Sequence, residues 1–155
     1  MNGDFTTNNI ELTNLAKKMK LNLVGIYSKD KLPDKCFVGG YIVNLEDDDA
    51  GTGSHWVGLY ITPKKEILYF DSFGLPFPKE IKEFVSLKPI AMNNRQIQNI
   101  NSTLCGYYCL FFLKYIETNI KNQKKNIFEV YDDFLNIFRY DTIKNENIVK
   151  RYFGL

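Results

Sequence analysis

One histidine, three cysteines and 18 acidic residues bound the chemistry open to this 155-residue chain. The histidine, His55, sits in Gly53-Ser54-His55-Trp56-Val57, eight residues before Pro63, and Asp71 lies eight residues after that proline. A hairpin turning about Pro63 would set His55 and Asp71 opposite each other on one face of an antiparallel pair, with Cα atoms roughly 4.5–5.5 Å apart. A carboxylate so placed fixes the imidazole tautomer and stabilises the imidazolium. A slip of one residue would send the two side chains to opposite faces. The plainer alternative is a surface ion pair at a strand end.

The candidate nucleophile is Cys105, which precedes Gly106 and opens the most apolar helical stretch of the chain. The positive end of a helix and its unpaired N–H groups favour a thiolate placed there. The same N–H groups can hold an oxyanion. Gly106 would let a substrate backbone approach closely. Gln98, seven residues before Cys105, could supply a second oxyanion donor, and by spacing alone Gln96 competes with it. Trp56 is expected to wall the cleft beside the histidine. Each residue also has a structural reading: a buried cysteine is common in cores, and a glutamine in a polar loop needs no function. Cys109, one turn beyond Cys105, and Cys36 read as structural thiols. A zinc site at His55, Asp71, Cys105 and Cys109 would have one short-spaced cysteine pair and no second, so no metal is expected.

The elements that must position these residues follow from periodicity. Residues 9–19 carry Ile10, Leu12, Leu15 and Met19 at helical spacing behind Thr and Asn caps. Segments 21–27, 37–45, 54–62 and 66–72 are short, rich in Val, Ile and Tyr, and bounded by Pro and Gly, which predicts strands. Residues 76–86 predict a short helix with Pro near its start. Residues 105–120 predict the strongest helix, with Tyr108, Phe111, Phe112, Tyr115 and Ile116 on one face. Two amphipathic helices are expected over 128–138 and 142–152. Strands lead and helices follow, which is the pattern of one α+β domain over 1–155.

Composition narrows the class. Hydrophobic residues make up 45% and aromatics 15%, enough to close a core and against disorder. The formal charge of +2 excludes a strongly polybasic nucleic-acid binder but not a modest basic patch. The lysines at 17, 18, 20 and within 121–125 read as solvated helix faces. Three cysteines argue against a disulfide scaffold and for a reducing compartment. Residues 1–7 lack a basic region followed by an apolar run, so no secretory signal is expected. The apolar stretch near 110–113 is too short for a membrane span. The acidic run 46–49 and the Gly-containing residues after it read as an exposed loop without the ligand spacing of a calcium site.

Taken in order, these segments resemble the adenovirus maturation protease (adenain) family and its relatives in virophages and polinton-like elements. Val24-Gly25-Ile26-Tyr27 and Gly40-Tyr41-Ile42-Val43-Asn44 are similar to strands of that family, and Gly53-Ser54-His55-Trp56 to its histidine motif. Tyr69-Phe70-Asp71-Ser72-Phe73-Gly74 is similar to its acid at a strand end, and residues 98–106 to its Gln, Asn-Ser, Cys-Gly stretch. The resemblance covers roughly residues 10–116. It implies a papain-like, adenain-like cysteine protease fold: a mixed, mainly antiparallel sheet packed against helices, with the nucleophile at a helix N-terminus. It further implies a Cys105–His55–Asp71 triad, with Gln98 and the Cys105 N–H as oxyanion hole. The implied substrates are viral capsid and core precursors cleaved at Gly-containing sites during virion maturation. The implied setting is the virion and the infected cell, in its nucleus or a cytoplasmic virus factory, with a monomeric enzyme and no membrane partner. Adenovirus enzymes carry Glu where this chain has Asp71, whereas cellular ubiquitin-like-protein proteases carry Asp.

The sequence requires no cofactor. DNA or a viral peptide remains open as an activator, and weak DNA binding as a partner. Residues 88–92 lack a matching Cys, which argues against a disulfide-linked peptide. Two further readings stand beside the first: a deconjugating protease of the same clan, and a non-catalytic peptide-binding capsid module.

Overall fold

The computed structural model describes residues 4–46, 55–86, 90–121 and 124–155. The acidic loop beyond Glu46, Gly53 and Ser54 of the histidine motif, and Lys88 and Pro89 lie outside the described residues, so the loop expectation is neither met nor contradicted there. In chain order the elements are α1 (Asn9–Lys18), β1 (Leu23–Ser28), a 3-10 turn (Lys29–Lys31), β2 (Gly39–Asn44), β3 (Trp56–Ile61), β4 (Ile67–Phe70), α2 (Lys79–Val85), β5 (Ile90–Met92), α3 (Cys105–Asn119), α4 (Ile127–Leu135) and α5 (Thr142–Phe153).

The strands form one sheet in the order β1-β2-β3-β4-β5. β2, β3 and β4 pair antiparallel, while β1 and β5 join the edges in parallel. The α+β class is therefore as expected. The sheet is mixed, as expected, with an antiparallel centre and a parallel strand at each edge. A parallel neighbour needs a crossover, and α2 supplies the one between β4 and β5.

β2, β3 and β4 are buried along their whole lengths because the sheet is covered on both faces. Ile42, Tyr60, Leu68 and Phe70 face the larger core, shared with α1, α3, α4 and α5. Tyr41, Val43, Val57, Leu59, Ile61, Ile67 and Tyr69 face the smaller core under α2. Nine of the 15 residues of α3 are buried, so this helix is the centre of the molecule rather than a one-faced surface helix. Phe112 stacks on Phe70 at 5.2 Å and meets Phe134 edge-on at 5.5 Å, joining sheet, α3 and α4.

Close approach of α3 to the sheet needs two glycines. A Cβ on Gly58 would lie 2.7 Å from Phe112 Cδ2, and one on Gly40 would lie 3.0 Å from Leu113 Cδ2. This contact fixes how far α3 can sit from β3, and so where its first residue, Cys105, emerges. Gly58→Ala is expected to destabilise the fold by about 1–3 kcal/mol, the usual cost of overpacking, read as a lower urea midpoint. An unchanged midpoint would mean that α3 yields freely and does not set the position of Cys105.

Candidate active site

β3 and β4 deliver His55 and Asp71 to the same end of the sheet. The observed register pairs Gly58 with Phe70 and Leu59 with Tyr69. Extended by one position, it sets Val57 opposite Asp71, with His55 two residues before Val57. The hairpin expected about Pro63 is thus corrected by two residues. An even shift preserves the face, so His55 and Asp71 remain on one side as diagonal neighbours. His55 Nε2 lies 2.8 Å from Asp71 Oδ1. Phe73, in the turn that the Gly74 N–H closes on the Asp71 carbonyl, lays its ring 4.8 Å from the imidazole, centre to centre.

Asp71 is fully buried. Its Oδ1 also accepts from the Phe73 N–H at 2.8 Å, while Oδ2 has no hydrogen-bond partner. His55 keeps 15% exposure of its side chain. With Nε2 committed to Asp71, Nδ1 is the ring atom left for proton exchange, and it makes no hydrogen bond of full geometry. The Cys105 thiol nevertheless lies close enough to act on the imidazole. Burial pulls the pKa of His55 down, but hydrogen bonding to Asp71 and Cys105 and the charges of both raise it to about 9. The imidazolium therefore persists through neutral pH.

Cys105 is the first residue of α3 and is 7% exposed. α1, α4 and α5 are each capped by a side chain, from Asn8, Asn126 and Asp141. The cap residue of α3 is Leu104, which makes no side-chain cap bond. The first N–H groups of a helix have no partner within it, and here the cap side chain does not claim them. Cys109 points into the core. Burial pushes its thiol well above the ordinary range, with the charges of Cys105 and Asp71 adding to the effect.

Two expected contact residues prove to be packing residues. Gly106 is buried, and a Cβ there would lie 2.3 Å from Thr7 Oγ1 and 2.8 Å from Leu12 Cδ2. The N-terminal segment thus fills the space expected for substrate. Trp56 is 5% exposed, packs in the larger core, and donates its indole N–H to the Thr7 carbonyl at 3.1 Å. It anchors that segment rather than walling an open cleft.

Gln98 is fully buried and Gln96 exposed, so the competition between them resolves toward Gln98 as the interior amide. Its Oε1 accepts from Ser72 Oγ, and its Nε2 donates to Ser102 O at 3.0 Å and Ser102 Oγ at 3.2 Å. The carbonyl can only accept, which fixes the amide orientation. Gln98 therefore braces the loop before Cys105 against the turn that carries Asp71. The backbone repeats the connection: Ile97 and Gln98 N–H groups both donate to Ser72 O, at 2.8 and 2.9 Å. Gly74, at φ +73°, backs onto the Arg95 main chain, where a Cβ would lie 2.6 Å from the Arg95 carbonyl.

Several supporting residues escape sequence reasoning. Asn93 binds the Asp71 main chain. Asn145 of α5 donates to Ile97 O at 3.0 Å, and Glu146 accepts from the Tyr108 hydroxyl and, at 3.4 Å, from the Asn99 N–H. In sequence they are polar residues of loops or of an amphipathic helix, and no spacing sets them apart. Among the described residues, no group of three or more His, Cys, Asp or Glu side chains is gathered to hold a metal ion. No helix among them is long and apolar enough to cross a membrane.

No protein-family model and no curated protein matches the chain. Two crystal structures of ASFV pS273R protease are similar to it. One covers 64% of this chain and 43% of its own length at 22% identity and TM-score 0.40. The other covers 89% of this chain and 69% of its own length at 17% identity and TM-score 0.46. Neither is described as an adenovirus or virophage protein.

His55 is the only histidine, so its ring C2 proton reports a single titration. By NMR its midpoint is expected near 9, not 6.5. Asp71→Asn should lower it, because burial then acts against the charged ring with less opposition. A wild-type midpoint at 6.5 would refute the Asp71 contact. The sign of the His55 contribution to stability follows from the raised pKa. The unfolded chain releases the His55 proton near its ordinary pKa while the folded one keeps it to higher pH. Stability is thus greatest below about pH 6.5 and falls up to the folded midpoint, by at most about 1.4 kcal/mol per pH unit, as urea midpoints across that range would show.

Proposed function

We propose that the chain is a cysteine endopeptidase, with Cys105 as nucleophile, His55 as base and then acid, and Asp71 as the group that orients His55. The observation that carries this reading is the placement of His55, bonded through Nε2 to a fully buried carboxylate and raised in pKa by the thiol at the start of α3. In this mechanism the proton of Cys105 already rests on the His55 imidazolium, and the Cys105 sulfur attacks the scissile carbonyl carbon. The oxyanion is met by N–H groups at the uncapped start of α3. A primary amide has two N–H groups, and for Gln98 to add a donor one of its two contacts to Ser102 must open. As the C–N bond breaks, His55 returns the proton to the leaving amine, and a thioester remains. His55 then deprotonates a water, which attacks the thioester and releases Cys105.

The sequence resemblance extends the reading to a viral maturation protease. Its substrates would be capsid or core precursors with Gly at the cleavage site, cut in the virion or infected cell, with DNA or a peptide as candidate activator. A cleft of about 340 Å³ lies between residues 4–6, the loop 99–104 and α5, and Cys105, His55 and Asp71 do not line it. Asp71, where adenovirus enzymes carry Glu, favours a second reading, a protease acting on ubiquitin-like conjugates.

The test is a cleavage panel of Gly-Gly and Gly-x-Gly peptides, capsid-type precursors and ubiquitin-like fusions, with and without DNA. Cys105→Ala is expected to lower kcat/KM by roughly a thousandfold or more. Cutting of peptides and precursors supports the maturation reading. Preference for folded fusions moves the substrate to the second. Cutting that survives Cys105→Ala overturns the mechanism.

A further inference from the structure

Asp71 follows the last residue of β4, and the backbone ladder stops short of it. β4 ends at Phe70, and its parallel ladder to β5 ends with Tyr69 opposite Met92. The next residue after β5, Asn93, continues the pairing with its side chain. Its Nδ2 donates to the Asp71 carbonyl at 2.6 Å, and its Oδ1 accepts from the Asp71 N–H at 3.1 Å. A side-chain amide carries the same donor and acceptor as a peptide group, so Asn93 substitutes for a strand at one position. It is 3% exposed. Without it, the buried Asp71 N–H would lose its partner, and the Asp71 carbonyl would keep only the Gly74 N–H, at 2.8 Å.

A second element holds the same point. The Tyr131 hydroxyl of α4 donates to the Tyr69 carbonyl and, at 3.4 Å, to Asn93 Oδ1. Tyr131 is 2% exposed, and burial holds its hydroxyl protonated well beyond the usual range. The clamp therefore stays a donor throughout the working range of the site.

We infer that Asn93 is a positioning residue: its amide fixes the main chain of Asp71, and with it the direction from which Asp71 Oδ1 meets His55 Nε2. The reason is geometric. Oδ1 serves two donors at once, His55 Nε2 and the Phe73 N–H, each at 2.8 Å. The Asp side chain is short, so a rotation of the backbone at Asp71 moves Oδ1 away from both. The groups facing His55 are the Asp71 carboxylate, the Cys105 thiol and the Phe73 ring, and of these Asn93 binds only Asp71. The effect on catalysis rests on the protease reading; the Asp71–His55 contact that Asn93 governs does not.

The test compares wild type, Asn93→Ala, Tyr131→Phe and, as a remote core control, Ile61→Val. Three quantities are read: the NMR titration of His55, kcat/KM on a cleaved peptide, and the urea midpoint. Asn93→Ala is expected to lower the His55 midpoint by about one pH unit or more. It should lower kcat/KM by roughly ten- to a hundredfold, chiefly in kcat, the scale of a small misplacement at a reacting centre. Tyr131→Phe should move the midpoint the same way by less. Ile61→Val should lower the urea midpoint and leave the titration unmoved. A wild-type His55 midpoint in Asn93→Ala overturns the inference, whatever happens to stability. If Asn93→Ala does not fold, Tyr131→Phe decides, and an unmoved midpoint there is the adverse result. Failure of the protease reading looks different: the wild type cleaves nothing on the panel, while His55 still shifts in Asn93→Ala.

Discussion

The carboxylate of Asp71 is the constraint on which the rest of the site depends. A charge with no solvent exposure is costly unless it is paired and hydrogen-bonded. Here one oxygen receives both His55 and the Phe73 N–H, while the other has no hydrogen-bond partner. The imidazole supplies the balancing charge. The relation is mutual: His55, itself largely buried, stays charged because Asp71 is beside it. Removing one partner therefore costs more than the bond between them, because the other is left buried without its counter-charge.

That dependence explains why so much of the chain converges on two short segments. The turn after β4 and the loop before α3 are laced together by Ser72 with Ile97 and Gln98, by Asn93 with Asp71, and by Gly74 against Arg95. The C-terminal helices brace the same lacing from outside. Tyr131 reaches Tyr69 and Asn93, Arg95 donates to the Leu135 carbonyl at the end of α4, and Asn145 holds Ile97. The last third of the chain thus completes the core and also sets the distance between the acid and the nucleophile. Its polar residues at 145 and 146 are buried for that reason.

Much of this was legible in the sequence, and the failures have physical causes. The main helices and the four longer strands follow from periodicity, because each buries a recognisable face. β5 does not, since three residues between a proline and a polar stretch carry no period. The His55–Asp71 contact tolerates a two-residue shift in register because the side-chain period of a strand is two. The place of Cys105 at the head of an apolar helix is a local property, and the sequence shows it. Local sequence does not say what covers Gly106 and Trp56; the covering segment, around Thr7, lies far away in the chain. Asn93, Asn145 and Glu146 were invisible for the same reason. A buried polar residue is identified by its partners, and those partners are distant in sequence.

The three thiols show how the fold assigns reactivity to residues of one type. Cys36 lies toward the smaller core, its sulfur donating to the Phe84 carbonyl at 2.9 Å, on the face of the sheet away from α3. Cys109 is on the same helix as Cys105, one turn deeper, and burial together with the charges of Cys105 and Asp71 holds its proton on. Cys105 alone stands at the helix start, against an imidazole kept charged by a buried carboxylate. A step of one helical turn is about 5.4 Å. Over that distance the same side chain passes from the end of the helix where an anion is favoured to an interior where it is not. The close contact of α3 with Gly58 and Gly40 fixes which cysteine takes which place, so selectivity among the thiols is a consequence of how the helix packs on the sheet.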